Sequence, residues 1–173
     1  MNTAVLNPSK KINLLGMTLK EIEDFFASIY QKPFRAKQLI KWIHQRGVSD
    51  FNLMTDFSKE LRVLLTDRCE IRPPKVSYEK ISIDGTKKWI IDVGENDSVE
   101  MVLIPEGDRS TLCVSSQVGC AINCSFCATG KQGFSRNLTS DEIIGQVWIA
   151  ANSFGLPRTA TDRNITNVVM MGM

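Results

Sequence analysis

Three of the chain's five cysteines, Cys120, Cys124 and Cys127, fall within the stretch "VGCAINCSFCATG" at 118–130. The spacing C-x3-C-x2-C lets one short loop present three thiolates to a single metal centre. Ala121, Asn123, Ser125, Ala128 and Gly130 keep that loop compact, and Phe126 adds a flat apolar surface beside the last thiol. Four thiolates would close a structural zinc site or an electron-transfer cluster, because every coordination position is then filled by protein. Three thiolates on a 4Fe-4S cubane leave one iron open, and an open iron can bind a small molecule. Tetrahedral zinc with Cys113 as fourth ligand is the competing reading, and a disulfide between two of the three is another. An odd cysteine total in a reducing compartment favours metal or catalytic use over disulfides.

The elements around the loop give it a place. The extended run "TLCVSS" at 111–116 leads straight into it, Thr139 and Glu142 have capping-box spacing for a helix over 140–152, and "ITNVVMMGM" reads as a strand buried on both faces. Strand, loop, helix and strand make a βαβ unit. The loop then lies at the C-terminal end of its first strand, where α/β barrels build their sites. Ahead of it, "KVSYEKISI", "TKKWIIDV" and "SVEMVLIP" alternate with period two between the turn signals Asp84-Gly85 and "GEND", predicting an antiparallel meander.

Further upstream the period is helical. Thr18 and Glu21 open a first helix carrying Leu19, Ile22, Phe25, Phe26 and Ile29; a second is expected over 35–45, and one or two more over 50–67. Residues 1–16 read as a loose arm. The expected organisation is a helical domain over 1–74, a β extension over 75–108, and over 109–173 the first βα units of an α/β barrel. About 65 residues are too few to close such a barrel, so the sequence reads as the front part of a longer enzyme.

At 173 residues, 43% hydrophobic and 23% charged, the composition is that of an ordinary globular chain. It contains neither a signal-peptide pattern nor an apolar window of membrane-spanning length, so no membrane role and a cytoplasmic location are expected. The charge is unevenly spread. Residues 1–75 hold 13 Lys/Arg against 8 Asp/Glu, net +5, while 76–173 hold 8 against 11, net −3. A basic front half suits a polyanion or a solvated polar face.

The cysteine spacing, with the aromatic before the third cysteine, resembles the radical S-adenosylmethionine superfamily. Longer strings narrow this: "SVEMVLIPE", "TLCVSSQVGCAINCSFCATG", "GFSRNL", "EIIGQVW" and "NVVMMGM" are similar to the bacterial enzymes that methylate carbon 2 of adenine in 23S ribosomal RNA and tRNA. "KPFRAKQLIKWIHQRGVSDFNLMTDFSKELR" is similar to their RNA-contacting helical domain. The resemblance implies a 4Fe-4S cluster on Cys120, Cys124 and Cys127, S-adenosylmethionine as cosubstrate beside Phe126, a reducing partner such as flavodoxin, and a monomer. Radical chemistry suits the target, since carbon 2 lies between two ring nitrogens and is too electron-poor to attack a methylsulfonium.

The resemblance also implies that a methylated cysteine near the C-terminus, which this sequence does not contain, adds its carbon to the base. Glu100 then matches the base that takes the ring proton, and Cys113 the thiol that releases the product. On residues alone, Glu100 in the apolar run 99–104 is either at an exposed face or in a site, and Cys113 is equally a core residue. Arg35, Lys37, Lys41 and Arg46 would contact phosphates, whereas His44 reads as a surface residue and Cys69 as structural. Two other functions stay open: methylation of adenine carbon 8, and a non-catalytic RNA-binding module with structural zinc.

Overall fold

A computed structural model describes residues 11–122, 124–156 and 164–171; most of the predicted arm, Asn123 of the loop and the last two residues of the final run lie outside these. The front of the chain is helical: α1 (Leu19–Ser28), α2 (Phe34–Ile40) and α3 (Lys59–Arg68). α1 begins on the expected capping box, Thr18 N–H donating to Glu21 Oε2 at 2.7 Å and Glu21 N–H to Thr18 Oγ1 at 3.3 Å. Ile22 and Phe26, one turn apart, are fully buried. α2 continues into a π-helical turn, Lys41–Gln45, which buries the consecutive residues Trp42 and Ile43. The segment 50–67 resolves into a 3-10 turn, Phe51–Leu53, and α3, whose N-cap Ser58 accepts from Leu61 N–H.

The end of the arm is not loose. Ile12–Asn13 (β1) pairs in parallel with Cys69–Glu70 (β2), and Leu14 and Leu15 are buried in the helical core. A two-residue strand has no period to read, and its partner lies far along the chain, so sequence pattern could not reveal it.

The remaining strands are β3 (Lys75–Ile81), β4 (Lys87–Gly94), β5 (Asp97–Glu106), β6 (Arg109–Ser115), β7 (Gln117–Gly119), β8 (Phe134–Asn137) and β9 (Asn167–Met171), with helix α4 (Ser140–Asn152) between the last two. The expected meander and the βαβ unit share one five-stranded sheet, ordered β3-β4-β5-β6-β9, in which β6 and β9 alone run parallel. α4 covers one face, burying Trp89, Ile91, Met101, Leu103, Leu112 and Val114 in a second core with Ala150. β9 departs from expectation. Val168, Met170 and Met171 are 44%, 61% and 43% exposed, because β9 forms the sheet's edge and no described element covers it.

The helical region docks on α4. Trp148 Nε1 donates to Ile43 O at 3.0 Å, Asn152 Nδ2 to Gly47 O at 3.2 Å, and Asn13 Nδ2 to Asp141 Oδ2 at 3.0 Å. Where Pro74 crosses the helix, α4 has Gly145; a Cβ there would lie 2.2 Å from Pro74 Cδ. Among the described residues no helix is long and apolar enough to cross a membrane.

Candidate metal and radical site

The cysteines sit on the tip of a hairpin. Past Ser115 the chain enters β7, loops through 120–133 and returns as β8, with Gln117 opposite Asn137, Val118 opposite Arg136 and Gly119 opposite Phe134. Cys120 N–H donates to Gly133 O at 3.0 Å, closing the neck. Gly119 has φ +71° and a Cβ there would lie 1.8 Å from Gly133 O, so the residue before the first thiol must be glycine. Sequence reading missed this hairpin, because β8 is short and mostly exposed and shows no alternation.

All three thiols are partly exposed and free of disulfides, as is Cys113. Cys127 N–H donates to Cys124 O at 3.1 Å and Lys131 N–H to Cys127 O at 3.2 Å, so a tight turn holds the last two. The backbone N–H groups of Gly130, then Thr129, hold the Cys127 thiol below the ordinary cysteine range. N–H groups that stabilise a thiolate also suit metal-bound sulfur. Phe126 is 90% exposed beside them. Among the described residues no group of three or more His, Cys, Asp or Glu side chains is gathered tightly enough to grip an ion. The loop thus supplies three unpaired thiols, a donor set that fits a three-thiolate cluster, without drawing them together. Cys69 is unrelated to the loop: it lies in the helical core, where burial pushes its thiol up to about 12.

Glu100 and Cys113 share the sheet face turned away from α4. Cys113 lies opposite Val102, and Glu100 is two residues along on the same side. Both are half-exposed, unlike Leu112 and Val114, which point into the core. Glu100 Oε1 is 2.7 Å from Lys88 Nζ, and Ser115 Oγ donates to Glu100 O at 2.6 Å, tying the strand to the residue from which the hairpin departs. Helices form the outer ring of an α/β barrel, so this face corresponds to a barrel interior.

Two positioning residues, Gln146 and Arg136, escaped sequence reading, and the capping residue Glu142 has a second role as the partner of Arg136. Gln146, fully buried on α4, accepts from Ser115 N–H at 2.9 Å and donates Nε2 to Ser115 O at 3.0 Å. Arg136 on β8 grips Glu142 of α4 with both terminal nitrogens, at 2.8 and 2.9 Å. Burial pushes the Glu142 carboxyl up, but the hydrogen bonds from Arg136 and Thr139 outweigh it and leave the group below its ordinary value of 4.5. The string "EIIGQVW" contained Gln146, but nothing local said what it would hold, and the capping spacing of Glu142 did not reveal its bond to Arg136.

On the helical region, Arg46 stacks 3.9 Å from the Trp42 ring and Arg35 lies between Phe34 and Phe57, at 5.5 and 5.8 Å. Lys37 and Lys41 are exposed. His44 is half-buried against α4 rather than at the open surface, lining a groove with Leu15, Met17, Val147 and Trp148.

Comparison with known proteins shows what the chain is similar to. The family described as ribosomal RNA large subunit methyltransferase N-terminal domain matches residues 12–71. Proteins named dual-specificity RNA methyltransferase RlmN are 62% identical over 166 residues in Marinomonas sp. (strain MWYL1) and 56% identical over 165 residues in Marinobacter nauticus. Each alignment takes in 95% of this chain but only 45% and 44% of the relative. The crystal structure of a radical SAM methyltransferase from Sphaerobacter thermophilus superposes with TM-score 0.80 at 39% identity, covering 94% of this chain and 47% of that one. The chain spans about half the length of the relatives it matches, and over that span it is similar to the proteins named dual-specificity RNA methyltransferase RlmN.

Proposed function

We propose that this chain is the N-terminal portion of a radical S-adenosylmethionine enzyme that methylates carbon 2 of adenine in 23S ribosomal RNA and tRNA. The observation that carries the reading is the thiol hairpin that follows the C-terminal end of β6, beside a sheet with Glu100 and Cys113 on the side away from the helix. In this reading residues 1–74 are an RNA-binding domain, 75–108 a strand extension and 109–173 the start of the barrel. Cys120, Cys124 and Cys127 would hold the 4Fe-4S cluster, with Phe126 beside S-adenosylmethionine. Such a cluster supplies the single electron that cleaves the sulfonium.

The chain's own residues account for the rest. Glu100, an acceptor-only carboxylate half-open to the barrel side, takes the proton from the substituted ring carbon. Lys88 Nζ lies 2.7 Å from Glu100 Oε1 and orients the carboxylate. Cys113 supplies a thiol on the same face to release product from its covalent link. Arg35, Lys37, Lys41 and Arg46 contact phosphates, and Trp42, carrying Arg46 on its face, keeps one guanidinium in place. The protein works in the cytoplasm as a monomer and takes its electron from a carrier such as flavodoxin.

Anaerobic reconstitution tests the reading. The expected result is about four iron and four sulfide per chain, lost when Cys120, Cys124 and Cys127 are all replaced by Ala. A single tightly held zinc ion would instead favour the RNA-binding module. Mass spectrometry of the modified base made by the full-length enzyme separates carbon 2 from carbon 8.

A further inference from the structure

We propose that Arg136 is the positioning residue of the thiol loop, fixing through its fork on Glu142 where the three cysteines stand relative to the sheet. Ile122 and Phe126 are 76% and 90% exposed, so apolar burial does not anchor the tip. Its position is therefore set at the neck. The outgoing strand is secured by Gln146 on the backbone of Ser115. The returning strand is secured by Arg136, which faces Val118 one rung before Gly119 and Cys120.

Arg136 joins three elements. Nη1 donates to Glu142 Oε2 at 2.9 Å, and Nη2 to Glu142 Oε1 and to Val93 O, both at 2.8 Å; Nε is 3.8 Å from Asp97 Oδ2 at the β4-β5 turn. The side chains of Arg136 and Glu142 are only 28% and 14% exposed, which lifts this pair out of the class of weak surface ion pairs. A planar two-pronged donor matches both carboxylate oxygens and fixes direction as well as distance, which an ammonium cannot do. Glu142 is itself fixed, accepting from Thr139 N–H at 2.7 Å as the cap of α4.

The iron readout of the following test rests on the cluster reading, while the exchange readout does not. Amide hydrogen exchange is compared between the chain and its Arg136→Gln variant. Exchange at Cys120 and Leu138, whose N–H groups bond Gly133 O and Ser116 O, should quicken about tenfold while β5 amides keep their rates. In the reconstituted chain, iron should pass to a chelator about tenfold faster, with an altered electron paramagnetic resonance line shape for the reduced cluster. Arg136→Lys, which keeps the charge without the fork, should fall between the two; if Arg136→Gln does not fold, the Lys variant decides. Unchanged hairpin exchange, uniform quickening through the whole sheet, faster exchange without faster iron loss, or full recovery with Lys would each overturn the assignment. If the wild-type chain takes up no iron, the cluster reading fails and exchange alone decides the role of Arg136.

Discussion

On the face of the sheet covered by α4, Trp89, Ile91, Met101, Leu112 and Val114 are buried. On the opposite face the residues between them, Lys88, Ile90, Glu100, Val102 and Cys113, are half-exposed and include the Lys88–Glu100 ion pair. Neighbouring positions of one strand therefore meet different surroundings, a packed core on one side and a half-open face with an ion pair on the other, because side chains alternate along a strand. The two faces should then respond to substitution independently.

The largest effect is expected on the covered face. Trp89→Ala should cost about 3–5 kcal/mol in denaturant unfolding, since it empties the largest fully buried side chain in the molecule. A cost under about 1 kcal/mol would mean the face is not a core. Next comes the joint between the faces: Gln146→Ala leaves the Ser115 N–H and C=O buried without partners, for about 1–3 kcal/mol by the same measurement. Acid should find a third weak point. The Glu142 carboxyl lies below 4.5, so its contribution is complete above that value and is lost as pH falls through the lowered one. Urea unfolding from neutral to acidic pH should show a steeper loss for the wild type than for Glu142→Gln. Smallest in stability, at most about 0.5 kcal/mol, are Glu100→Gln and Cys113→Ser on the open face. In the full-length enzyme both should nonetheless abolish product release while leaving iron content intact, which sharpens the contrast most. Alkylation of the native chain should label Cys113 and the loop thiols and spare Cys69 until unfolding, as mass mapping would show.

What the sequence made legible was what it encodes locally. The boxes Thr18/Glu21 and Thr139/Glu142 each lie within one turn, and both start helices as expected. Alternation in "TKKWIIDV" and "SVEMVLIP" marked β4 and β5, and the close spacing of Cys120, Cys124 and Cys127 marked the loop. What stayed hidden depends on partners elsewhere. Asn13 bonds across 59 residues to Arg72, and Gln146 across 31 to Ser115; neither leaves a period or a motif. The exposure of β9 was misread for the same reason, since composition states how apolar a strand is and not whether a neighbour lies over it. The shared face of Glu100 and Cys113 needed the register of β5 against β6.

The hairpin neck also bears on the order of assembly. Gln117 and Asn137, which pair there, are 20 residues apart, whereas Ser110 and Thr166, which join β6 to the approach of β9, are 56 apart. Short closures cost less chain entropy and form sooner. A ribosome can thus release a finished thiol hook while the parallel strand is still being made, so the cysteine hairpin is complete before the sheet has its edge.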